Sequence, residues 1–239
     1  MYKGKKVSVV IPTYNEAKSI RDVINGFFET GYVDEVVVID NNALENTREE
    51  VLKTSALLIE ENKQGLGNAL KTGLEMATGE LVVTVDADGT FRSSDVEKLL
   101  SYSEDFDVVF GTRTSRSAIW SGAFMPFPVR IANLLWAKFV EFIYNGPLLS
   151  DVGCMYRLLS RSALNRLAKR FNVMSGTAAF VLESMIILLK LRCRSIEIPV
   201  IFKERVGKSS YVGDSIIRAA VWGLKMLPII IKFRFKKLI

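Results

Sequence analysis

Histidine is missing from all 239 residues. That removes the commonest general base, the commonest metal ligand and every Ser-His-Asp or Cys-His pair. Only two cysteines occur, Cys154 and Cys193, too few for a disulfide framework or a thiolate zinc cluster. Chemistry in this chain must therefore run on carboxylates, arginine, lysine, backbone amides or a metal held by carboxylates. Long apolar runs are missing as well. The longest stretch without a charge, residues 117–129, is broken by Pro126 and Pro128, whereas a spanning helix needs roughly 18–20 apolar residues. Residues 1–6 lead straight into a strand-like run with no cleavage pattern, so no secretory leader is expected. The chain is expected in the cytoplasm, at most lying on the cytosolic face of a membrane. Linkers, repeats and low-complexity tracts are absent too.

What is present can fold. With 49% hydrophobic and 24% charged residues the chain can bury a core, which excludes disorder and coiled coil. Its 32 basic and 26 acidic residues leave a net charge of +6. Residues 214–239 carry Arg218, Lys225, Lys232, Arg234, Lys236 and Lys237 against Asp214 alone, so the excess sits almost wholly in the tail. A nucleic-acid binder would spread a basic stripe over its fold. A near-neutral body with a basic, apolar tail instead fits an anionic membrane surface, and no nucleic-acid partner is expected.

Short β-rich runs alternate with helical patterns through the first half. Residues 7–11, 35–40, 57–60, 81–85 and 107–110 read as strands, and residues 17–30 and 65–77 as helices. Ser94-Asp95-Val96-Glu97 has the form of a capping box opening a further helix. In the second half a helix over 126–145, a strand near 153–159, a helix over 175–190 and a strand over 195–202 are expected. A basic apolar helix then follows the polar turn at 204–210. Such alternation predicts an α/β layer with a mostly parallel central sheet flanked by helices.

Polar groups gather where those strands end. The first runs into Pro12-Thr13-Tyr14-Asn15-Glu16 and the second into Asp40-Asn41-Asn42. Asn62-Lys63-Gln64-Gly65-Leu66-Gly67-Asn68 forms a glycine-rich helix entry, and Asp86-Ala87-Asp88 closes the 81–85 strand. Ligands bind outside the carboxyl ends of strands in open α/β sheets. Two carboxylates at i and i+2 around a turn can share a divalent cation, though a D-x-D is also met as two solvated aspartates. Gly65-x-Gly67 is no dinucleotide fingerprint, since Leu70 stands where a third glycine belongs.

These four ordered motifs resemble the family 2 glycosyltransferases of the GT-A fold, a Rossmann-like nucleotide-diphospho-sugar layer. The resemblance covers almost the whole length; residues 1–213 are expected to form the transferase domain, and residues 214–239, by their own pattern, a basic amphipathic C-terminal helix able to associate with a membrane. The resemblance implies that Pro12, Tyr14, Glu16, Asp40 and Gly67 serve the nucleotide, and that Asp86 and Asp88 hold Mg²⁺ or Mn²⁺ on the diphosphate. Gly111-Thr112-Arg113, Arg130, the run Asp151-Val152-Gly153-Cys154-Met155-Tyr156-Arg157 and the run Arg205-Val206-Gly207-Lys208-Ser209-Ser210 are similar to the polyprenyl-phosphate branch, which includes dolichyl-phosphate mannose synthase. There Arg113, Arg130 and Arg205 would act with Asp88 as the catalytic set, holding acceptor phosphate and donor diphosphate, with Lys208 and Ser209 at the donor. GDP-mannose or UDP-glucose as donor and a polyprenyl or dolichyl phosphate as acceptor follow from the same resemblance.

The missing histidine agrees with a phosphate acceptor. A sugar hydroxyl must lose a proton, whereas a lipid monophosphate is already an anion and needs only cations to hold it beside the donor. Two departures stand out. Thr90 occupies the place of a further metal-contacting Gln, and Asp40-Asn41-Asn42-Ala43-Leu44-Glu45-Asn46-Thr47 lacks a serine of the usual second motif. Glu183 is read either as a satisfied core carboxylate or as a group facing the site, with the second preferred. The aromatics Trp120, Phe124, Phe127, Trp136, Phe139 and Phe142 are read as core or as a lipid groove beside Arg130. Two other functions stay open: a saccharide or protein hydroxyl acceptor, and a non-catalytic sugar-nucleotide-binding or membrane-scaffold subunit.

Overall fold

The computed structural model describes residues 1–207 and 215–237. Seven strands form one sheet: β1 (Val7–Thr13), β2 (Glu35–Asp40), β3 (Leu57–Glu60), β4 (Leu81–Thr84), β5 (Val108–Thr112), β6 (Arg157–Ser160) and β7 (Ser195–Pro199). Their order across the sheet is β3-β2-β1-β4-β6-β5-β7. All neighbours are parallel except β6, which runs antiparallel to both β4 and β5. The helices are α1 (Ile20–Phe28), α2 (Glu45–Leu52), α3 (Leu66–Met76), α4 (Val96–Tyr102), α5 (Phe127–Tyr144), α6 (Arg161–Ala168), α7 (Ala179–Lys190) and α8 (Ile216–Phe235).

Both faces of the sheet are covered, and side chains alternate between two cores as strand geometry requires. Val7, Val9 and Ile11 of β1 pack with Ile20, Ile24 and Phe27 of α1. Val10, between them, joins Leu70 and Leu74 of α3 and the buried face of α7 on the other side. α7 is buried along almost its whole length, which explains its continuous apolar run. It begins at Ala179, because residues 175–178 form a loop laid against α3.

Two helices escaped the periodicity. α2 buries only Thr47 and Val51, and α6 is short, opened by the Ser160 hydroxyl accepting the Ala163 N–H at 3.2 Å. The capping box is not formed. A 3-10 turn over Ser93–Asp95 precedes α4, and neither carries a side-chain cap. The Asp95 carboxylate instead accepts the Ile201 N–H at 2.5 Å and pairs with Lys98.

α8 is two-faced. Gly223, Met226, Ile230 and Phe233 are buried against α5 and α7. A Cβ on Gly223 would stand 3.0 Å from the Trp136 indole nitrogen of α5, so glycine permits this approach. Lys190 of α7 donates to the Phe233 and Lys236 carbonyls at the helix end, a favourable place for a cation. Ile217, Val221, Leu224, Leu227, Ile231 and Phe235 face outward. Among the described residues no helix is long and apolar enough to cross a membrane.

Candidate active site

Because β1, β2 and β4 are parallel, their carboxyl ends share one edge, with Thr13 opposite Asp40 in the register. Pro12 is buried within β1 opposite Ile39, and Tyr14, just past the strand, is exposed. The buried Asp40 carboxylate accepts the Ala43 N–H at 2.7 Å and pairs with Arg48 at 3.1 Å. Asn41 joins this strand end to the loop before α3. Its amide donates to the Glu61 and Lys63 carbonyls, and its oxygen accepts the Gly65 N–H at 2.7 Å. Arg48 and Asn41 thus fix the second motif, a role the sequence did not single out.

Gly67 is explained by the protein itself. A Cβ there would come within 2.5 Å of the Ser175 carbonyl oxygen and 2.7 Å of that of Thr177. The loop over 175–177 therefore presses on the start of α3, and Asn68 N–H donates to the Gly176 oxygen at 3.1 Å. Glu183 holds the same loop, accepting the Ser175 N–H at 2.6 Å. Burial keeps its carboxyl above the usual range despite that bond. Of the two readings of Glu183, the structure favours the satisfied core carboxylate.

The turn after β4 carries the centre of the site. Asp88 is buried, and its Oδ1 accepts both the backbone N–H and the hydroxyl of Thr90, at 3.0 and 2.6 Å. Thr90 is thereby committed to orienting Asp88. Over this turn lies the segment before residue 207, fastened by Lys203 N–H to the Thr90 oxygen at 2.7 Å and Val206 N–H to the Asp88 oxygen at 3.0 Å. Gly89 sits at φ +75°, in the left-handed region, under Val206. Those two backbone bonds deliver Arg205, whose guanidinium bridges Asp88 Oδ2, at 2.5 Å, and Glu16. Among the described residues, Arg205 Nε is buried without a hydrogen-bond partner. Burial, reinforced by Asp88 against the pull of Arg205, pushes the Glu16 carboxyl up to about 7.

Arg113, at the end of β5, is held by Asp151. The wholly buried carboxylate accepts Arg113 N–H, Nε–H and Nη2–H at 3.1, 2.8 and 2.9 Å. Its guanidinium also lies over the Phe202 ring, 5.5 Å from the centroid. Burial opposes charge on Asp151, but Arg113 outweighs it and holds the carboxyl below its usual range. Arg130, in the first turns of α5, lies over the ring of Phe127 at 5.7 Å. Among the described contacts, none joins Arg130 to the Asp88 cluster. The aromatics divide: Trp136 and Phe139 pack on the core edge to face, whereas Trp120, Phe127 and Phe142 are exposed. Lys208 and Ser209 lie outside the described residues.

A divalent cation fits the turn. Asp86 is half-buried, accepts no hydrogen bond among the described residues, and is held above its usual range by burial and then by the charge of Asp88. Asp86, with Asp88 beside it, forms a hard-oxygen donor set whose mutual repulsion a cation would relieve. Among the described residues no cluster of three or more metal-ligating side chains occurs, so further ligands would come from substrate or water.

Comparison with known proteins identifies the family and the fold. Residues 8–168, more than half of the chain, match the family described as Glycosyl transferase family 2. A UDP-N-acetylglucosamine–dolichyl-phosphate N-acetylglucosaminyltransferase of Methanococcus voltae is 28% identical over 225 residues, 82% of this chain and 85% of that protein. Glycosyltransferase AglJ of Haloferax volcanii is 31% identical over 159 residues, 66% of this chain and 51% of the other. Glucosyl-3-phosphoglycerate synthase of Mycobacterium tuberculosis, solved with Mn²⁺, UDP-glucose and phosphoglyceric acid, superposes with a TM-score of 0.71. That match covers 97% of this chain and 80% of the other at 17% identity. The fold is the GT-A fold expected from the motifs.

Proposed function

This chain belongs to glycosyl transferase family 2, and on that footing we propose that it transfers a hexose from a UDP- or GDP-sugar to a polyprenyl or dolichyl phosphate, with inversion, at the cytosolic face of a membrane. One observation carries the reading. The guanidinium groups of Arg113 and Arg205 flank the Asp86–Asp88 turn in a site where the neighbouring Glu16 and Asp151 are already committed to those arginines. Such a site suits a nucleophile that needs no base. A phosphate monoester is mostly dianionic at pH 7. Its oxygen forms the new bond to the anomeric carbon as the bond to the nucleoside diphosphate breaks, and no proton has to move.

The residues divide the work. Asp40, Asn41 and the turn at Tyr14 frame the nucleotide end. Asp86 and Asp88 would hold Mg²⁺ or Mn²⁺, which when bound neutralises charge on the departing diphosphate. Arg205, swung away from Glu16, offers its guanidinium to phosphate oxygens, and its Nε–H, which has no acceptor among the described residues, is a further donor. Arg113 is the residue we assign to the acceptor phosphate, with Arg130 as a second candidate. UDP-sugars are the first donors to test, because the Methanococcus relative is named for a UDP-sugar and the mycobacterial neighbour was solved with one. The exposed apolar face of α8, followed by Phe142 and Leu135 on α5, is the surface we assign to the membrane.

The test is transfer of radiolabel from UDP-glucose, UDP-N-acetylglucosamine or GDP-mannose to a short prenyl phosphate with Mn²⁺. Label in the organic phase supports the proposal. Label in a water-soluble saccharide or protein would replace it with a hydroxyl acceptor, and nucleotide-sugar binding without turnover would replace it with a binding subunit.

A further inference from the structure

We propose that Glu197 is a positioning residue for Arg113, acting through Ser150 and Asp151, and thereby sets the affinity for the acceptor phosphate. The inference rests on the reading above that Arg113 meets that phosphate.

The chain of contacts runs from the sheet edge to the site. Glu197 lies on β7, opposite Phe110 of β5, two residues before the pair that joins Pro199 to Thr112. Its carboxylate takes three donors from the loop between α5 and β6: Ser150 N–H at 2.8 Å, the Ser150 hydroxyl at 2.6 Å and Asp151 N–H at 3.1 Å. The Ser150 oxygen also lies 2.7 Å from the Thr112 hydroxyl and 2.8 Å from that of Thr114, the residues on either side of Arg113. Asp151 then grips Arg113 through its backbone and two guanidinium nitrogens. Gly153 keeps the space clear, since a Cβ there would sit 3.1 Å from Arg113 Nη2. With Nε and one N–H of Nη2 taken by Asp151 and one face on Phe202, Nη1 and the second Nη2 N–H have no partner among the described residues and are left for a ligand.

A purely structural brace would not need this residue type. Placing Glu197 beside the ionised Asp151 is unfavourable, and burial, with that neighbouring charge, pushes its carboxyl up to about 7. Above about pH 7, where it is ionised, the carboxylate provides acceptor capacity without any donor, so three N–H and O–H groups can converge on it. A Gln in its place would turn an NH₂ group toward one of them. The Asp151 N–H would lose its acceptor, and the Asp151 grip on Arg113 would loosen.

Two measurements on the full chain test this. In Glu197→Gln, the KM for a short prenyl phosphate is expected to rise about tenfold, the scale of one charge-assisted hydrogen bond, with kcat and the nucleotide-sugar KM within about twofold. In an Arg113→Lys background, which keeps a cation for Asp151, the same substitution is expected to add little. An unmoved acceptor KM in active enzyme, or penalties that multiply in the double variant, would overturn the proposal. Independently of transfer, the Arg113 Nε–H resonance, assigned by its loss in Arg113→Lys, is expected to exchange with solvent much faster in Glu197→Gln. Unchanged exchange overturns the positioning role whether or not the enzyme uses lipid phosphate. If the wild type yields no lipid product, the functional reading fails by itself and the exchange rate still decides Glu197. Should Glu197→Gln not fold, Ser150→Ala removes one donor from the same carboxylate. It is expected to shift KM and exchange in the same direction, and no shift overturns the proposal.

Discussion

Substitutions on the two faces of α8 should have opposite consequences. Phe233 is 0% exposed in the core shared with α5 and α7, and Phe233→Ala should cost about 3–5 kcal/mol of folding stability. Leu224 is 75% exposed on the other face, so Leu224→Glu should change stability by no more than about 0.5 kcal/mol. On a membrane the ranking reverses. Fully burying a leucine contributes roughly 1.5–3 kcal/mol, and most of that remains available at Leu224. Glutamate forfeits it and adds about 1 kcal/mol of repulsion from an anionic surface. Binding to anionic vesicles should therefore weaken roughly thirty- to two-hundredfold in Leu224→Glu.

The assays are urea denaturation and vesicle co-sedimentation at low and high salt. Wild-type binding should fall as salt rises, because Lys225, Lys232 and Arg234 act through a field screened beyond ~8–10 Å. Deleting the helix is a poor substitute. It would strip Met226, Ile230 and Phe233 from the core at roughly 1.5–3 kcal/mol each, comparable with the whole stability of a domain. A Leu224→Glu protein that unfolds, or that binds vesicles like wild type, would refute the assignment of the outer face.

Asp88→Asn should abolish transfer and also lower the ligand-free Tm. Its amide NH₂ must face either Arg205 or the Thr90 N–H, a donor against a donor costing about 1–3 kcal/mol; normal turnover, or an unmoved Tm, would count against the geometry. Glu16, with a folded pKa near 7 against an ordinary 4.5, binds protons more tightly when folded, so stability should fall as pH rises from about 4.5 to 7 and level off above. Glu16→Gln should flatten part of that fall, by at most about 3 kcal/mol at ~1.4 kcal/mol per pKa unit, and a Tm–pH slope identical to wild type would exclude it. Gly67→Ala should destabilise by about 1–3 kcal/mol, because its Cβ meets backbone of the 175–177 loop; a neutral substitution by denaturant midpoint would mean the loop yields freely.

The strand ends were legible because each motif is contiguous: β1, β2 and β4 carry their polar residues at the next positions along the chain, and parallel pairing places those ends together. What stayed hidden is pairing across the chain. Arg205 and Glu16 are 189 positions apart, and Arg113 and Asp151 are 38 apart, so no local pattern joins them. The β6 strand, antiparallel in an otherwise parallel sheet, is equally invisible to periodicity. Glu183 stayed ambiguous because an acid in an apolar helix looks the same whether it serves a ligand or a loop N–H.

Those hidden pairings also change the electrostatic argument. From sequence, Arg113 and Arg205 are free cations waiting for anionic reactants. In the fold each is already paired, and the turn gathers four carboxyl groups, Glu16, Asp86, Asp88 and Asp151, against two guanidiniums. Such a cluster repels a sugar diphosphate until its excess negative charge is neutralised. Protons do this at low pH, through Glu16 and Asp86, whose carboxyls are both held above their ordinary range. Near neutral pH a divalent cation on Asp86 and Asp88 would take their place and leave Arg205 to turn from carboxylate to phosphate. Cation and nucleotide sugar should therefore bind cooperatively, each strengthening the other by the same factor.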